Sequence, residues 1–303
     1  MKALVISGGG SKGAFAGGVA EYLIRNTQKD YDIFVGTSTG SLLIPHLSIG
    51  EIDKIRDAYT TITPQDIFSN NPFVLKIKDN REYVTINHIG VLWQLIKGKR
   101  TFGESHSLRK KIVEYFTLED YHRIRETKKD VVVTVSNLSK NTVEYKSVRD
   151  CSYEDFCDWM WISCNYVPFM SIVSKDGCEY ADGGLGSVVS IEEAIKRGAT
   201  EVDAIILGVE KKHYTKPRGK NPFSLMIDIF SFLANRIEYY NVRTAELAAT
   251  NKNVKINLYY TPTKLTDNPL LFHRKRMLLW WQRGIKYAEH EIKCRQEDIT
   301  FGS

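Results

Sequence analysis

Cysteine is sparse in this chain of 303 residues and falls into no metal-binding pattern: Cys151, Cys157, Cys164, Cys178 and Cys294 are odd in number and lack CxxC spacing. That arrangement argues against a disulfide scaffold and against a zinc site. Cys164 has no base beside it in the sequence and reads as a buried thiol rather than a nucleophile. Long apolar runs are missing too, since none approaches the roughly 20 residues of a membrane-spanning helix. The first apolar run begins at Ala3 and breaks at Ser7-Gly8, too short for the apolar region of a secretory signal. These features give the expectation of a cytoplasmic protein whose contact with a membrane is confined to its periphery. Internal repeats and low-complexity tracts are absent. The net charge is +6, but no zinc finger, helix-turn-helix signal or basic repeat accompanies it, so nucleic acid is not an expected partner.

What is present suffices for a full core: 43% of the residues are hydrophobic, and the length permits one large domain or two. A strand-and-helix pattern that starts at residue 2 favours one domain spanning 1–303. Its motif-bearing core runs to about residue 210, and a helical and strand extension covers about 211–303.

Gly36-Thr37-Ser38-Thr39-Gly40 follows the apolar run Ile33-Phe34-Val35. Gly-x-Ser-x-Gly at a strand-to-helix turn lifts the serine hydroxyl clear of the backbone, with Gly36 and Gly40 removing the Cβ atoms that would obstruct it. In an ordinary α/β-hydrolase this elbow comes after several strands and is followed by an acid and then a histidine. The 37 residues before Ser38 cannot hold those strands. They hold instead a buried-strand pattern, Lys2-Ala3-Leu4-Val5-Ile6, a glycine loop, and a helical stretch with Phe15, Val19, Tyr22 and Leu23 on one face.

The loop, Gly8-Gly9-Gly10-Ser11-Lys12-Gly13, lies between that strand and that helix. Successive backbone N–H groups in such a place converge on one space and favour negative charge. Acyl transfer needs such donors for its tetrahedral intermediate, and one lost donor raises the barrier by about 3 kcal/mol. Lys12 adds a nearby positive charge. The loop also satisfies Gly-x-Gly-x-x-Gly, but a dinucleotide site wants an acidic residue at the end of the second strand. Asp32 stands at that strand's start, and its end is the elbow. A phosphate-binding P-loop fits worse, because no Gly-Lys-Ser/Thr triplet follows. A bare turn is the plainest alternative, and the elbow one unit downstream favours the oxyanion reading over it.

Far downstream, Gly177-Cys178-Glu179-Tyr180-Ala181 reads as a short strand ending in Asp182-Gly183-Gly184. An isolated Asp-Gly is usually a turn. Here it also offers a carboxylate at a strand end, followed by backbone free to approach another loop. An aspartate withdrawn from water has a raised proton affinity and can act as a general base toward Ser38. The competing histidines are His46, His88, His106, His122, His213, His273 and His290. None sits in a glycine-rich or strand-end setting, and His46 lies about 12 Å along a helix from Ser38. A triad through His273 lacks local support.

With Gly8 to Gly13, the Ser38 elbow and Asp182-Gly183-Gly184 in this order, the chain resembles the patatin-like phospholipase family. Ser163-Cys164-Asn165-Tyr166-Val167-Pro168 is similar to that family's Ser-x-x-x-x-Pro block. The resemblance covers residues 1 to about 190. It implies a Ser/Asp dyad without histidine and an oxyanion hole on the glycine loop. It further implies hydrolysis of lipid acyl esters with no metal or organic cofactor. Carried over by position, Ser38 is the nucleophile, Asp182 the base, and Gly9, Gly10 and Ser11 the amide donors. Two departures stand out. Cys164, Asn165 and Tyr166 occupy positions that are normally small, and Pro45 falls in the second turn of the elbow helix, which predicts a kinked or short helix.

Further along, the pattern predicts a helix over Gly50–Thr61 and an irregular region around Thr63-Pro64 and Asn70-Asn71-Pro72. A helix over Ser107–Phe116, a buried strand Val131–Val135 and a hairpin partner Thr142–Ser147 come next. A helix over 152–164 carries Phe156, Trp159, Met160 and Ser163 on one side. Beyond it lie a helix Ile191–Arg197, a strand Ala204–Leu207, a long helix Phe223–Ala249 and a strand Val254–Tyr260. Strands alternating with helices imply an α/β fold of three layers, with a central, mostly parallel sheet between helices. Lys211, Lys212, His213, Lys216, Arg218 and Lys220 form a basic loop able to attract anionic headgroups, although a solvated loop explains it as well. Leu278-Leu279-Trp280-Trp281 is suited to burial or to lipid contact. The expected function is lipid acyl-ester hydrolysis. The alternatives are acyl transfer to a thiol or alcohol acceptor, and nucleotide binding at the glycine loop.

Overall fold

A computed structural model describes residues 1–78, 81–210, 222–266 and 268–301. Its strands are β1 (Lys2–Ile6), β2 (Ile33–Thr37), β3 (Phe73–Lys78), β4 (Arg81–Ile86), β5 (Asp130–Asn137), β6 (Thr142–Ser147), β7 (Val173–Lys175), β8 (Cys178–Asp182), β9 (Glu201–Ile206) and β10 (Lys255–Tyr260). The helices are α1 (Gly13–Arg25), α2 (Thr39–Ser48), α3 (Ile52–Thr61), α4 (Pro64–Ile67), α5 (His88–Ile96), α6 (His106–Tyr115), α7 (Leu118–Glu126), α8 (Tyr153–Ser163), α9 (Ile191–Lys196), α10 (Pro222–Lys252) and α11 (Arg274–Phe301).

Five strands in the order β10-β9-β1-β2-β5 run parallel. The remaining three of the eight-stranded sheet, β6, β8 and β7, continue it in antiparallel pairings. Buried on both faces, these strands read as continuous apolar runs: Val131, Val132 and Val133 are all fully buried. The two-residue pleat divides β1 between the layers. Leu4 and Ile6 join a core with α1, α2, α3, α8 and α11, while Ala3 and Val5 join a second core with α9 and α10. The molecule is therefore the expected three-layer α/β/α sandwich.

The C-terminal extension is welded to the first helix. A Cβ on Gly17 would lie 2.1 Å from the Trp281 ring, and one on Gly18 would lie 2.0 Å from the Trp281 carbonyl oxygen. Only glycine permits α1 and α11 to approach so closely. Trp281 itself is buried, and its Nε1 donates to Glu21 Oε2 at 2.6 Å.

One region differs from the sequence-based expectation. The irregular stretch after α3 contains α4, capped by Thr63 and Asp66 in a reciprocal box, and then the separate antiparallel pair β3–β4 and helix α5. Helix α2 is ten residues long with Pro45 inside it, the short helix expected. Residues 211–221, which include the basic loop Lys211 to Lys220, lie outside the described residues. Among the described residues no helix is long and apolar enough to cross a membrane.

Candidate active site

Strand β5 has three partners. β6 runs along residues 132–137, β2 along 130–134 and β8 along 135–137. A strand has two edges, so β2 and β8 share the edge that β6 leaves open, lying end to end. Their meeting point brings the residue after β2, Ser38, against the last residue of β8, Asp182. Ser38 Oγ donates to Asp182 Oδ2 at 2.7 Å. The other carboxylate oxygen accepts from Gly184 N at 2.7 Å, and the Asp182 amide is anchored on Asn165 O at 2.9 Å.

The elbow is strained at Ser38 itself. Ser38 has φ 52° and ψ −121°, a region that costs a non-glycine residue about 1–3 kcal/mol. The flanking glycines serve close packing instead: a Cβ on Gly36 would stand 2.5 Å from Gly40 C, and one on Gly40 2.3 Å from Ile6 O. Ser163 holds the turn from below. Its Oγ donates to Thr134 O at 2.7 Å and accepts from Ser38 N at 2.9 Å. Cys164 Sγ donates to Ser38 O at 3.2 Å. Gly183 must also be small, since its Cβ would meet Thr134 O at 2.3 Å. On the far side, Thr39 is tied to Tyr59, whose hydroxyl donates to Thr39 O at 2.7 Å.

Asp182 is 3% exposed, and burial raises its proton affinity to a pKa of about 7, against the lowering effect of the Ser38 hydroxyl and the Gly184 amide. A carboxylate so placed can take a proton near neutrality and return it. Burial pushes the Cys164 thiol well above its ordinary range, so it stays protonated.

The glycine loop passes directly over this pair: a Cβ on Gly8 would be 3.3 Å from Ser38 Cβ. Its amides are not equivalent. Gly8 N donates to Val188 O at 2.9 Å and Ser11 N to Pro269 O at 2.8 Å, while Gly13 N closes a turn on Gly10 and Ser11 carbonyls. Lys12 N donates to Gly9 O at 3.3 Å. Among the described residues that leaves Gly9 N and Gly10 N without an acceptor, and both glycines line the cleft. Ser11 is fully buried and faces away from it, and the Lys12 ammonium donates to the Leu207 carbonyl. Asp32 sits at the opposite end of β2 from the loop, where its carboxylate accepts from Lys2 N at 2.7 Å.

Ser38 and Asp182 open into a cleft of about 2650 Å³. One wall is apolar, formed by residues such as Leu42, Ile55, Ile62, Leu108, Ile112 and Met160; Tyr166 lines it too, stacked on Phe169 with centroids 6.1 Å apart. Among the described residues no histidine bonds to either member of the pair. His46 lines the cleft, but its Nε2 lies 3.0 Å from Tyr115 O. The sequence places Ser163 in the Ser-x-x-x-x-Pro block and on one side of its helix, but its spacing from Pro168 does not reveal this double role. The roles of Pro269 and Leu207 at the loop are not legible in the sequence, because nothing local marks a residue that clamps a loop some 200 positions or more away.

A family model described as patatin-like phospholipase matches residues 4–195, more than half of the chain. Among solved structures, VipD from Legionella pneumophila is similar with a TM-score of 0.51 at 13% identity; the match covers 95% of this chain and 66% of that one. The chain thus spans just under two thirds of VipD's length, and the likeness concerns the fold. A search of curated proteins finds no match.

Proposed function

Because the chain belongs to the patatin-like phospholipase family, we propose that it hydrolyses lipid acyl esters through a dyad of Ser38 and Asp182. Asp182 takes the Ser38 proton as Oγ attacks the ester carbonyl, and the oxyanion is held by Gly9 N and Gly10 N. Protonated Asp182 then gives that proton to the departing alcohol. Water enters, loses a proton to Asp182 and attacks the acyl-serine; collapse expels Ser38 Oγ, which regains the proton, and the fatty acid leaves. The metal-free, cofactor-free path needs only these groups, and the apolar wall of the cleft accepts the acyl chain.

The observation that carries this reading is the 2.7 Å contact between Ser38 Oγ and a carboxylate whose pKa burial raises to about 7. A fluorophosphonate probe tests the nucleophile: intact-mass analysis is expected to show one adduct on Ser38 and none in Ser38→Ala. Labelling that survives in Ser38→Ala contradicts the assignment.

A further inference from the structure

Helix α5 carries its apolar face outward. It buries Val91 and Gln94, yet Ile89, Leu92, Trp93, Leu95 and Ile96 are 75, 58, 58, 54 and 67% exposed. At 3.6 residues per turn, Ile89, Leu92, Trp93 and Ile96 share the side opposite Val91 and Gln94. Single exposed leucines need no explanation, but a contiguous apolar face does. The first half of α10 repeats the feature, with Leu225, Ile229, Phe232 and Leu233 at 46, 51, 57 and 47% exposure along one stripe.

Aromatic contacts link α10 to the segments that flank α5. Phe230 of α10 packs on Phe169 at 6.2 Å between centroids. Phe169 in turn packs on Phe73 of β3 and on Phe102, at 5.4 and 6.1 Å, the segments on either side of β4 and α5. The α10 stripe reaches the cleft that holds Ser38, and the chain just before α5 reaches it too. Phe232 lines it directly, and Thr85 and Ile86, just before α5, line it as well.

Charge identifies the occupant. No acidic residue occurs between Glu82 and Glu104, whereas Lys97, Lys99 and Arg100 follow α5. Lys97 Nζ lies 6.0 Å from the Trp93 ring centroid. Lys99 and Arg100 pair with Glu104 and Glu179 but keep half or more of their side chains exposed. An apolar face bearing a tryptophan, with cations at its end, matches a helix lying in the interface of an anionic bilayer. We propose that α5 and the first half of α10 form a lipid-facing surface that seats the protein on such a bilayer with the cleft opening onto it. Seating goes beyond the hydrolytic reading and does not require Ser38.

The full chain is sedimented with vesicles of phosphatidylcholine alone or mixed with phosphatidylserine. Wild type is expected to pellet with the mixed vesicles, and the triple variant Leu92→Ser, Trp93→Ser, Ile96→Ser to lose at least about tenfold in partitioning. Its hydrolysis of a soluble short-chain ester should stay within about twofold, as for other surface changes. Ser38→Ala should bind as wild type does, so a failed dyad and a failed docking surface give different results. Brominated acyl chains should quench wild type more than Trp93→Phe. Unchanged partitioning of the triple variant, or equal quenching in Trp93→Phe, overturns the proposal. So does a wild type that ignores vesicles and forms an oligomer which the triple variant dissociates.

Discussion

Ser38 and Asp182 meet because β2 and β8, separated by 140 residues, lie end to end on one edge of β5. The proposed nucleophile is positioned by the end of one strand and the proposed base by the end of the other. Neither depends on a mobile loop, which is the arrangement that best preserves a short hydrogen bond through a reaction.

Ionisation of Asp182 sets a pH dependence. Burial raises its pKa to about 7, and a base must be unprotonated to act, so kcat/KM for a soluble ester should fall as pH drops through about 7. Initial rates between about pH 5 and 9 check this, and a profile flat to the acid end contradicts it.

Stability should move in the opposite sense. The folded chain holds the Asp182 proton more tightly than the unfolded one, so this contribution is full below about pH 4 and lost as pH rises through about 7. The raised pKa of a fully buried carboxyl corresponds to on the order of 4 kcal/mol. Urea unfolding of wild type and Asp182→Asn measures it: wild type should lose ground to the variant as pH rises from acid to neutral.

Ser163→Ala should weaken both fold and catalysis. It leaves Ser38 N and Thr134 O buried without the partner that now joins them, a loss of about 1–3 kcal/mol. Because the elbow loosens while the cleft wall is untouched, kcat should fall more than KM changes.

Gly10→Ala is predicted to disable the oxyanion loop. Gly10 has φ +57°, and a Cβ there would stand 2.2 Å from Pro269 O. Moving the loop removes a donor, and kcat should fall by about a hundredfold or more. Rates on a soluble ester, with circular dichroism to verify folding, provide the check.

Trp281→Ala tests whether the extension belongs to the same folding unit. Loss of a buried tryptophan that fills the space over Gly17 and bonds Glu21 should cost about 3–5 kcal/mol in a single cooperative transition. Two separated transitions in denaturant would show that residues beyond about 210 fold apart from the core.

Much of this molecule could be read from local patterns. The buried runs Lys2–Ile6 and Val131–Val135 have no polar alternation and therefore announce central strands, and Ser38 and Asp182 stand at strand ends beside glycines. The position of strain was not legible: left-handed φ falls on Ser38, while Gly36 and Gly40 are required by contacts with each other and with Ile6. The β3–β4 pair was hidden by the turn signals of Asn70-Asn71-Pro72 just before it. Helix α5 was missed because an outward apolar face does not look like a surface helix. Clamps such as Pro269 on Ser11 and Trp281 on Gly17 arise from chain segments that are neighbours only after folding. Ser11 illustrates the consequence, since its amide, one of three assigned to the oxyanion by position, is bonded to Pro269.

The most direct test is hydrolysis of a chromogenic fatty-acyl ester by wild type, Ser38→Ala and Asp182→Ala, each verified as folded. The dyad predicts measurable turnover by wild type and loss of about a thousandfold or more in both variants. Undiminished turnover in either variant would contradict it.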